Sequence, residues 1–180
     1  MKRILFILPL LLNVYTSNAQ RTGGFEPQLK AFGAYGFDKH EVKSIGATLI
    51  GGIRTSEQSW VGLGVGYYEA KHIFPEGKAF SPYDFKQYKN VGCYPIFVSG
   101  KYNWGNKVHW LPYMGLDGGF IIYNYDNTKV GMFIKPAIGM DYRFGKNTLS
   151  FEIGYQFHPS IMDVDSYSQL TTAIGYSWSF

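Results

Sequence analysis

Large apolar residues alternate with small or polar residues, without a break, over the segment Ser168–Phe180. Because neighbouring side chains on a strand point to opposite faces, this pattern predicts one bulky apolar face and one small polar face. A long, flat apolar strand in water would invite aggregation. The pattern is explained if the apolar face meets lipid and the strand belongs to a closed barrel. That face carries Leu170, Ile174, Tyr176, Trp178 and Phe180.

The same alternation recurs along the chain, and the lengths of the connections alternate as well. The short connections are 55–59, 105–107 and 145–147, and the longer ones are 71–90, 123–129 and 159–167; only 38–41 breaks this alternation. Short periplasmic turns and longer extracellular loops are typical of outer-membrane barrels. We therefore predict an all-β fold, an eight-stranded antiparallel up-and-down transmembrane β-barrel. Its predicted strands are Phe25–Phe37, Val42–Arg54, Trp60–Tyr68, Gly92–Trp104, Val108–Phe120, Met132–Phe144, Leu149–Phe157 and Ser168–Phe180.

Four prolines fall inside these predicted strands, at Pro27, Pro95, Pro112 and Pro136. Proline has no backbone N–H, so each of them removes one donor from the hydrogen-bonded ladder. A closed barrel has no edge strand on which such a loss would be harmless. We therefore expect a bulge or a strand end at each proline.

The first residues have the layout of a secretory signal peptide. Lys2 and Arg3 precede an apolar run at 4–12, which is too short to span a bilayer as a helix, and small residues suited to cleavage follow. We predict a signal peptide at 1–19 and one outer-membrane β-barrel domain at 20–180. The composition, with 22 Gly, 14 Phe, 15 Tyr and 4 Trp, is typical of a membrane barrel.

Charge and cysteine content argue against several function classes. The formal net charge of +4 includes two cations of the predicted signal peptide, so it does not indicate a nucleic-acid partner. The single cysteine, Cys93, excludes an intramolecular disulfide and a cysteine-based zinc site, and we interpret it as a small core residue. The four histidines lack metal-ligand spacing, and no phosphate-binding loop is present. We predict neither a metal nor a cofactor.

The volumes of the two faces predict which one points outward. A soluble, secreted ligand-binding barrel would also have alternating strands, but with its apolar face inward. The interior of eight strands is only wide enough to be filled by side chains, so the face with small residues fits inside and the bulky face fits lipid. We expect an aromatic girdle at the periplasmic end, formed by Trp104, Trp110, Tyr142, Phe144, Trp178 and Phe180.

The predicted inner face carries nearly balanced charges, and buried charges must be paired. We therefore predict a lumenal ion-pair network and a lumen plugged by side chains. Within it we expect Arg143 to pair with Glu152, since both lie near the turn at Gly145. The predicted members are Glu26, Lys30, Arg54, Lys101, Asp117, Lys135, Asp141, Arg143 and Glu152.

The chain resembles the small OmpA/OmpX-type outer-membrane barrels of Gram-negative bacteria. The resemblance covers the whole predicted mature chain, and its sharpest element is Tyr176-Ser177-Trp178-Ser179-Phe180. Segments 94–97, 112–116 and 139–144 also resemble a broad group of outer-membrane β-barrel domain proteins. The resemblance implies a bacterial outer-membrane location and contact with outer-membrane lipid and lipopolysaccharide. It also implies that the assembly machinery reads Tyr176, Trp178 and Phe180.

A second, narrower resemblance concerns His158 and Ser160. Lipid A deacylases among the small barrels use a His-x-Ser pair with a nearby acid on the outer surface, and Asp163 or Asp165 could supply that acid here. In that family Asn follows the Ser, whereas this chain has Ile161, and strand parity points His158 inward. We interpret the pair as a loop-entry His and a turn Ser, and keep an acyl hydrolase acting on lipid A as the alternative.

The longest predicted loop, 71–90, combines basic and aromatic residues, among them Lys71, His72, Phe74 and Tyr88. Such a loop could contact lipopolysaccharide phosphates or an extracellular partner. A solvated loop that packs its own aromatics over the barrel mouth is the alternative interpretation. We expect a barrel without catalysis that acts in envelope integrity or in surface interaction through its loops, with a secreted soluble ligand-binding barrel as the second alternative.

Overall fold

A computed structural model describes residues 24–36, 41–56, 58–73, 90–104, 109–124, 129–159 and 167–180. The signal peptide predicted at 1–19 lies outside these ranges. So do Ser160, Asp163 and Asp165, and most of the predicted loop 71–90. No helix within the described ranges is long and apolar enough to cross a membrane.

Eight antiparallel strands form one closed barrel in sequence order, and β1 pairs with β8. The predicted all-β, eight-stranded up-and-down fold is therefore confirmed. The strands are β1 (Gln28–Gly36), β2 (Glu41–Arg54), β3 (Ser59–Ile73), β4 (Asn90–Asn103), β5 (Trp110–Asn124), β6 (Lys129–Phe144), β7 (Asn147–His158) and β8 (Tyr167–Trp178).

Strands β1, β3, β5 and β7 begin at one end of the barrel, which we call the turn end, and β2, β4, β6 and β8 begin at the opposite end, which we call the loop end. Strands β3, β5 and β6 run further toward the loop end than predicted. The connection between β5 and β6 is therefore only 125–128, shorter than expected. In β3, the polar residues Glu69 and Lys71 hid the extension, because they interrupt the apolar face while the backbone ladder continues.

The prolines do not produce the bulges that the sequence suggested. In the pairing of β3 with β4, Val65 opposes Ile96 and Tyr68 opposes Cys93, so the register is the same on both sides of Pro95. Pro136 likewise interrupts the ladder with β7 without a change of register. Pro95 keeps its pairing with Ile121 on β5, and Pro136 keeps its pairing with Leu116 on β5, so only one ladder is interrupted at each of these two prolines. Pro27 precedes β1, as expected of a strand end.

The apolar face points outward around the barrel. Ile45 is 72% exposed and Leu63 is 71% exposed, whereas Asp141 and Gln169 on the inner face are almost completely buried. An apolar exterior with a polar interior inverts the arrangement of a soluble ligand-binding barrel, in which the apolar face surrounds the ligand. The outer wall is therefore built to meet lipid.

Rings and small residues fill the lumen near the loop end. Phe97 packs against Phe133 with ring centroids 5.8 Å apart, and Phe32 meets Tyr68 at 5.6 Å. The Phe97 ring lies directly over Gly64 on the neighbouring strand, where a Cβ atom would overlap it. Glycine at this position therefore makes room for a ring that a wider side chain would displace.

Candidate functional site: the lumenal ion-pair network

Glu152 on β7 lies at the centre of the charged part of the lumen. Its Oε2 is 2.7 Å from Lys30 Nζ on β1 and accepts a hydrogen bond of 3.0 Å from the Tyr113 hydroxyl. Its Oε1 is 2.8 Å from Lys135 Nζ on β6. Lys135 also lies 2.8 Å from Asp117 Oδ2, and Ser99 donates to Asp117 at 2.5 Å. These contacts connect β1, β4, β5, β6 and β7 across the barrel.

Asp141 on β6 forms the second centre and is fully buried. Lys101 Nζ lies 3.0 and 2.9 Å from its two carboxylate oxygens. Asn103 donates to it at 2.9 Å, and Ser150 donates to it at 2.7 Å. Because both oxygens have several donors, the carboxylate retains hydrogen bonds in place of the water it loses on burial.

Glu26 and Arg54 form the third centre, at the turn end. Arg54 donates from Nε at 3.0 Å and from one terminal nitrogen at 2.6 Å, both to Glu26 Oε2. Ser177 donates to the other oxygen at 2.9 Å. The indole of Trp60 donates to the Glu26 carbonyl at 3.2 Å, which places a large ring beside this pair.

The register separates Arg143 from Glu152. Arg143 lies opposite Thr148, next to the turn, while Glu152 lies opposite Gly139. Four residues of strand correspond to about 13 Å, and Lys30 and Lys135 occupy the Glu152 carboxylate. The sequence predicted that Arg143 would pair with Glu152 because both lie in one hairpin. Instead, Lys30 from β1 and Lys135 from β6 bind the Glu152 carboxylate.

Two cavities between these groups are small. One of about 30 Å³ lies among Lys30, Asp117, Lys135 and Gln156, and one of about 10 Å³ lies beside Tyr113. The larger one matches the volume of about one water molecule, which leaves no room there for a hydrated ion. In the described part of the chain, no group of three or more His, Cys, Asp or Glu residues could hold a metal ion.

His158 is buried inside the barrel near the loop end. Its ring stacks on Tyr167 with centroids 3.9 Å apart and an interplanar angle of 11°. Nδ1 lies 3.3 Å from the Tyr123 hydroxyl, and Nε2 lies 2.9 Å from Gln156 Nε2. The imidazole therefore faces the lumen, away from the lipid surface where a deacylase of outer-membrane lipid would need its base. Cys93 is also buried, and its thiol contacts the Val91 carbonyl at 3.6 Å.

Aromatic residues predicted for the periplasmic girdle surround the turn end on the outer wall. Trp110 and Tyr142 have ring centroids 4.7 Å apart, and Tyr142 and Phe144 lie 5.9 Å apart. Phe180 stacks with Phe25 at 6.2 Å and donates its backbone N–H to the Phe25 carbonyl. The terminal aromatic residue is thus held next to the start of β1, at the point where the barrel closes. Trp104 also lies at this end and is exposed, and Trp178 ends β8.

Several neutral members of the network were not singled out from the sequence. Five of them donate to the carboxylates, Gln28 donates to the Ser150 hydroxyl, and each lies on the inner face by strand parity. Parity combined with hydrogen-bonding capacity would have identified them as inward polar residues, but not their partners. These residues are Gln28, Ser99, Asn103, Tyr113, Ser150 and Ser177.

No protein-family model and no curated protein sequence matches this chain. Solved structures do share its fold. Neisserial surface protein A (NspA) has a TM-score of 0.61 at 14% identity, with 88% of this chain and 97% of that chain covered. A major outer membrane protein from Thermus thermophilus has a TM-score of 0.57 at 13% identity, with 89% of this chain and 100% of that chain covered.

The outer membrane protein OprG from Pseudomonas aeruginosa is a third similar structure, with a TM-score of 0.56 at 12% identity, covering 89% of this chain and 97% of that chain. At sequence identities this low, the structural similarity shows a shared fold and no more than that. That fold is the small OmpA/OmpX-type barrel that the sequence predicted. These neighbours are bacterial outer-membrane proteins, and the apolar outer wall of this chain suits the same location.

Proposed function

We propose that this protein is an integral outer-membrane barrel without catalysis, which acts in envelope integrity or in surface interaction through its extracellular loops. The observation that carries the proposal is the division of side chains between the two faces. Large apolar residues cover the outer wall, while the lumen is occupied by mutually paired charges. A molecule built in this way presents to its surroundings a lipid-facing wall and the segments at its two ends.

The lumen is proposed to be plugged. Charges that already bind one another at 2.6–3.0 Å are not available to conduct ions, and two cavities between them, among Lys30, Asp117 and Lys135 and beside Tyr113, have about the size of single waters. Single-channel recording of the purified protein in planar bilayers tests this. We expect no conductance steps above the baseline, and regular steps would contradict the plugged lumen.

Export and insertion are proposed to follow the route of this fold class. Residues 1–19 would be removed as a signal peptide, and Tyr176, Trp178 and Phe180 would be recognised by the assembly machinery. The loop-end segments, above all 71–90, would then face the cell exterior and meet lipopolysaccharide or a partner. The position of Phe180 beside Phe25 supports a role in closing the barrel.

Cell fractionation tests the location, and a deletion strain tests the role. We expect the protein in the outer-membrane fraction, with a heat-dependent change of migration on gels, as folded barrels show. The deletion strain should become more sensitive to detergents or lose a surface interaction, while the acylation of its lipid A stays unchanged. Recovery in the soluble periplasm, or altered lipid A acylation, would contradict the proposal.

A further inference from the structure

Two lysines face each other on the outer wall at the loop end. Lys43 on β2 and Lys71 on β3 are direct partners across the ladder, and both side chains are exposed. By strand parity, every other Lys or Arg on the described strands points into the lumen. The cations on the lipid-facing side of these strands are therefore gathered at one place.

This pairing has a cost in the isolated barrel, because like charges directly opposite each other destabilise a sheet. Two acidic residues fall on the same face by strand parity. Glu69 opposes Ile45 and accepts a hydrogen bond of 3.2 Å from the Tyr67 hydroxyl, and Glu41 lies two residues before Lys43 on β2. The two glutamates balance the lysines in formal charge, but Lys43 and Lys71 still lie directly opposite each other. An anion between the two ammonium groups would remove the repulsion.

Aromatic residues next to the lysines mark the level of the membrane surface. Tyr67 and Tyr94 lie side by side on the outer wall, with ring centroids 5.3 Å apart, and tyrosine prefers the boundary between hydrocarbon and headgroups. Lys71 lies four residues beyond Tyr67 toward the loop end, which is about 10 Å along the membrane normal for a strand tilted by about 40°. The lysines thus lie at the level of the headgroups.

We propose that Lys43 and Lys71 bind a phosphate group of lipid A in the outer leaflet. The aromatic ring of Tyr35 lies 5.4 Å from Lys43 Nζ and helps to hold that ammonium group in place. The lysines point toward lipid and lie at the extracellular end, where lipid A is the phosphorylated lipid that the wall would meet. This inference rests on the outer-membrane location proposed above, and it adds a defined lipid site on the outer wall.

Native mass spectrometry of the purified, folded barrel tests the site with three lipid probes: diphosphoryl lipid A, lipid A with its phosphates removed, and phosphatidylglycerol. We expect the wild type to prefer diphosphoryl lipid A. The double variant Lys43→Ala/Lys71→Ala should bind it about 30-fold more weakly, which is about 2 kcal/mol for two cations near an anionic headgroup. The matched control Lys146→Ala removes an exposed lysine at the turn end and should bind like the wild type.

Equal binding by the double variant and the wild type would overturn the inference, as would equal binding of lipid A with and without phosphates. Phosphatidylglycerol bound as tightly as diphosphoryl lipid A would overturn the assignment to lipid A. The variant Lys43→Arg/Lys71→Arg keeps both charges and should retain binding, and it serves as the test if the alanine variant does not fold. All these outcomes are measured on folded barrel, so they are independent of the fractionation result that tests the location.

Discussion

The lumen is filled in two different ways along its length. From the middle of the barrel to the turn end, ion pairs connect strands that are distant in sequence, such as Lys30 with Glu152 and Lys101 with Asp141. Toward the loop end, rings pack by contact, as Phe97 does against Phe133. The stability of the first region depends on which charged groups face each other. The stability of the second region depends on how well the volumes and shapes of its side chains fit together. The two regions should therefore respond differently to the same kind of substitution.

The largest effect is expected from Glu152→Leu in the charged region. The change removes a carboxylate that binds two ammonium groups and a tyrosine hydroxyl, and it leaves Lys30 buried without its carboxylate. Removing one partner of a buried pair costs about 3–5 kcal/mol. Urea titration of the folded barrel in detergent micelles, followed by tryptophan fluorescence, would measure the loss in free energy of unfolding.

Two variants control this experiment. Ile153→Leu changes the neighbouring, lipid-facing residue and should stay within about 0.5 kcal/mol of the wild type. The double variant Glu152→Leu/Lys30→Met removes the unpaired ammonium group as well, so part of the lost stability should return. A loss below about 1 kcal/mol for Glu152→Leu would show that the charged region is held together by something other than its pairs.

The difference between strand faces and strand partners also explains which features of the molecule the sequence predicts. Side-chain parity along a strand has a period of two, so the alternation that ends at Phe180 predicts the strands, their faces and the inward charges. The partner of each charge depends on how strands that are distant in sequence come together around the barrel. Arg143 and Glu152 are near each other in one hairpin, yet Lys30, 122 residues away, binds Glu152. The unchanged register at Pro136 was not predicted either. Losing hydrogen bonds to one neighbouring strand costs less free energy than shifting the register of the whole strand.

A smaller effect is expected in the aromatic region from Gly64→Ala. The added methyl group would overlap the ring of Phe97, and overpacking of this kind costs about 1–3 kcal/mol. Gly100→Ala is the matched control, since it lies on the outer wall and its new Cβ would be 3.9 Å from the Leu116 carbonyl, an ordinary contact. The same urea titration applies. Equal stability of the two variants would mean that the aromatic region adapts to added volume, contrary to the comparison.

The smallest effect is expected from Tyr68→Phe, compared with the same substitution at Tyr113. Among the described residues, the buried hydroxyl of Tyr68 has no hydrogen-bond partner, so its removal should change the free energy of unfolding by no more than about 0.5 kcal/mol. The hydroxyl of Tyr113 donates to the Glu152 carboxylate, and its removal should cost about 1.5–3 kcal/mol. Both variants keep the ring, so the difference between them measures hydrogen bonding alone. If the two losses were equal, the two regions would not differ in their dependence on specific polar partners.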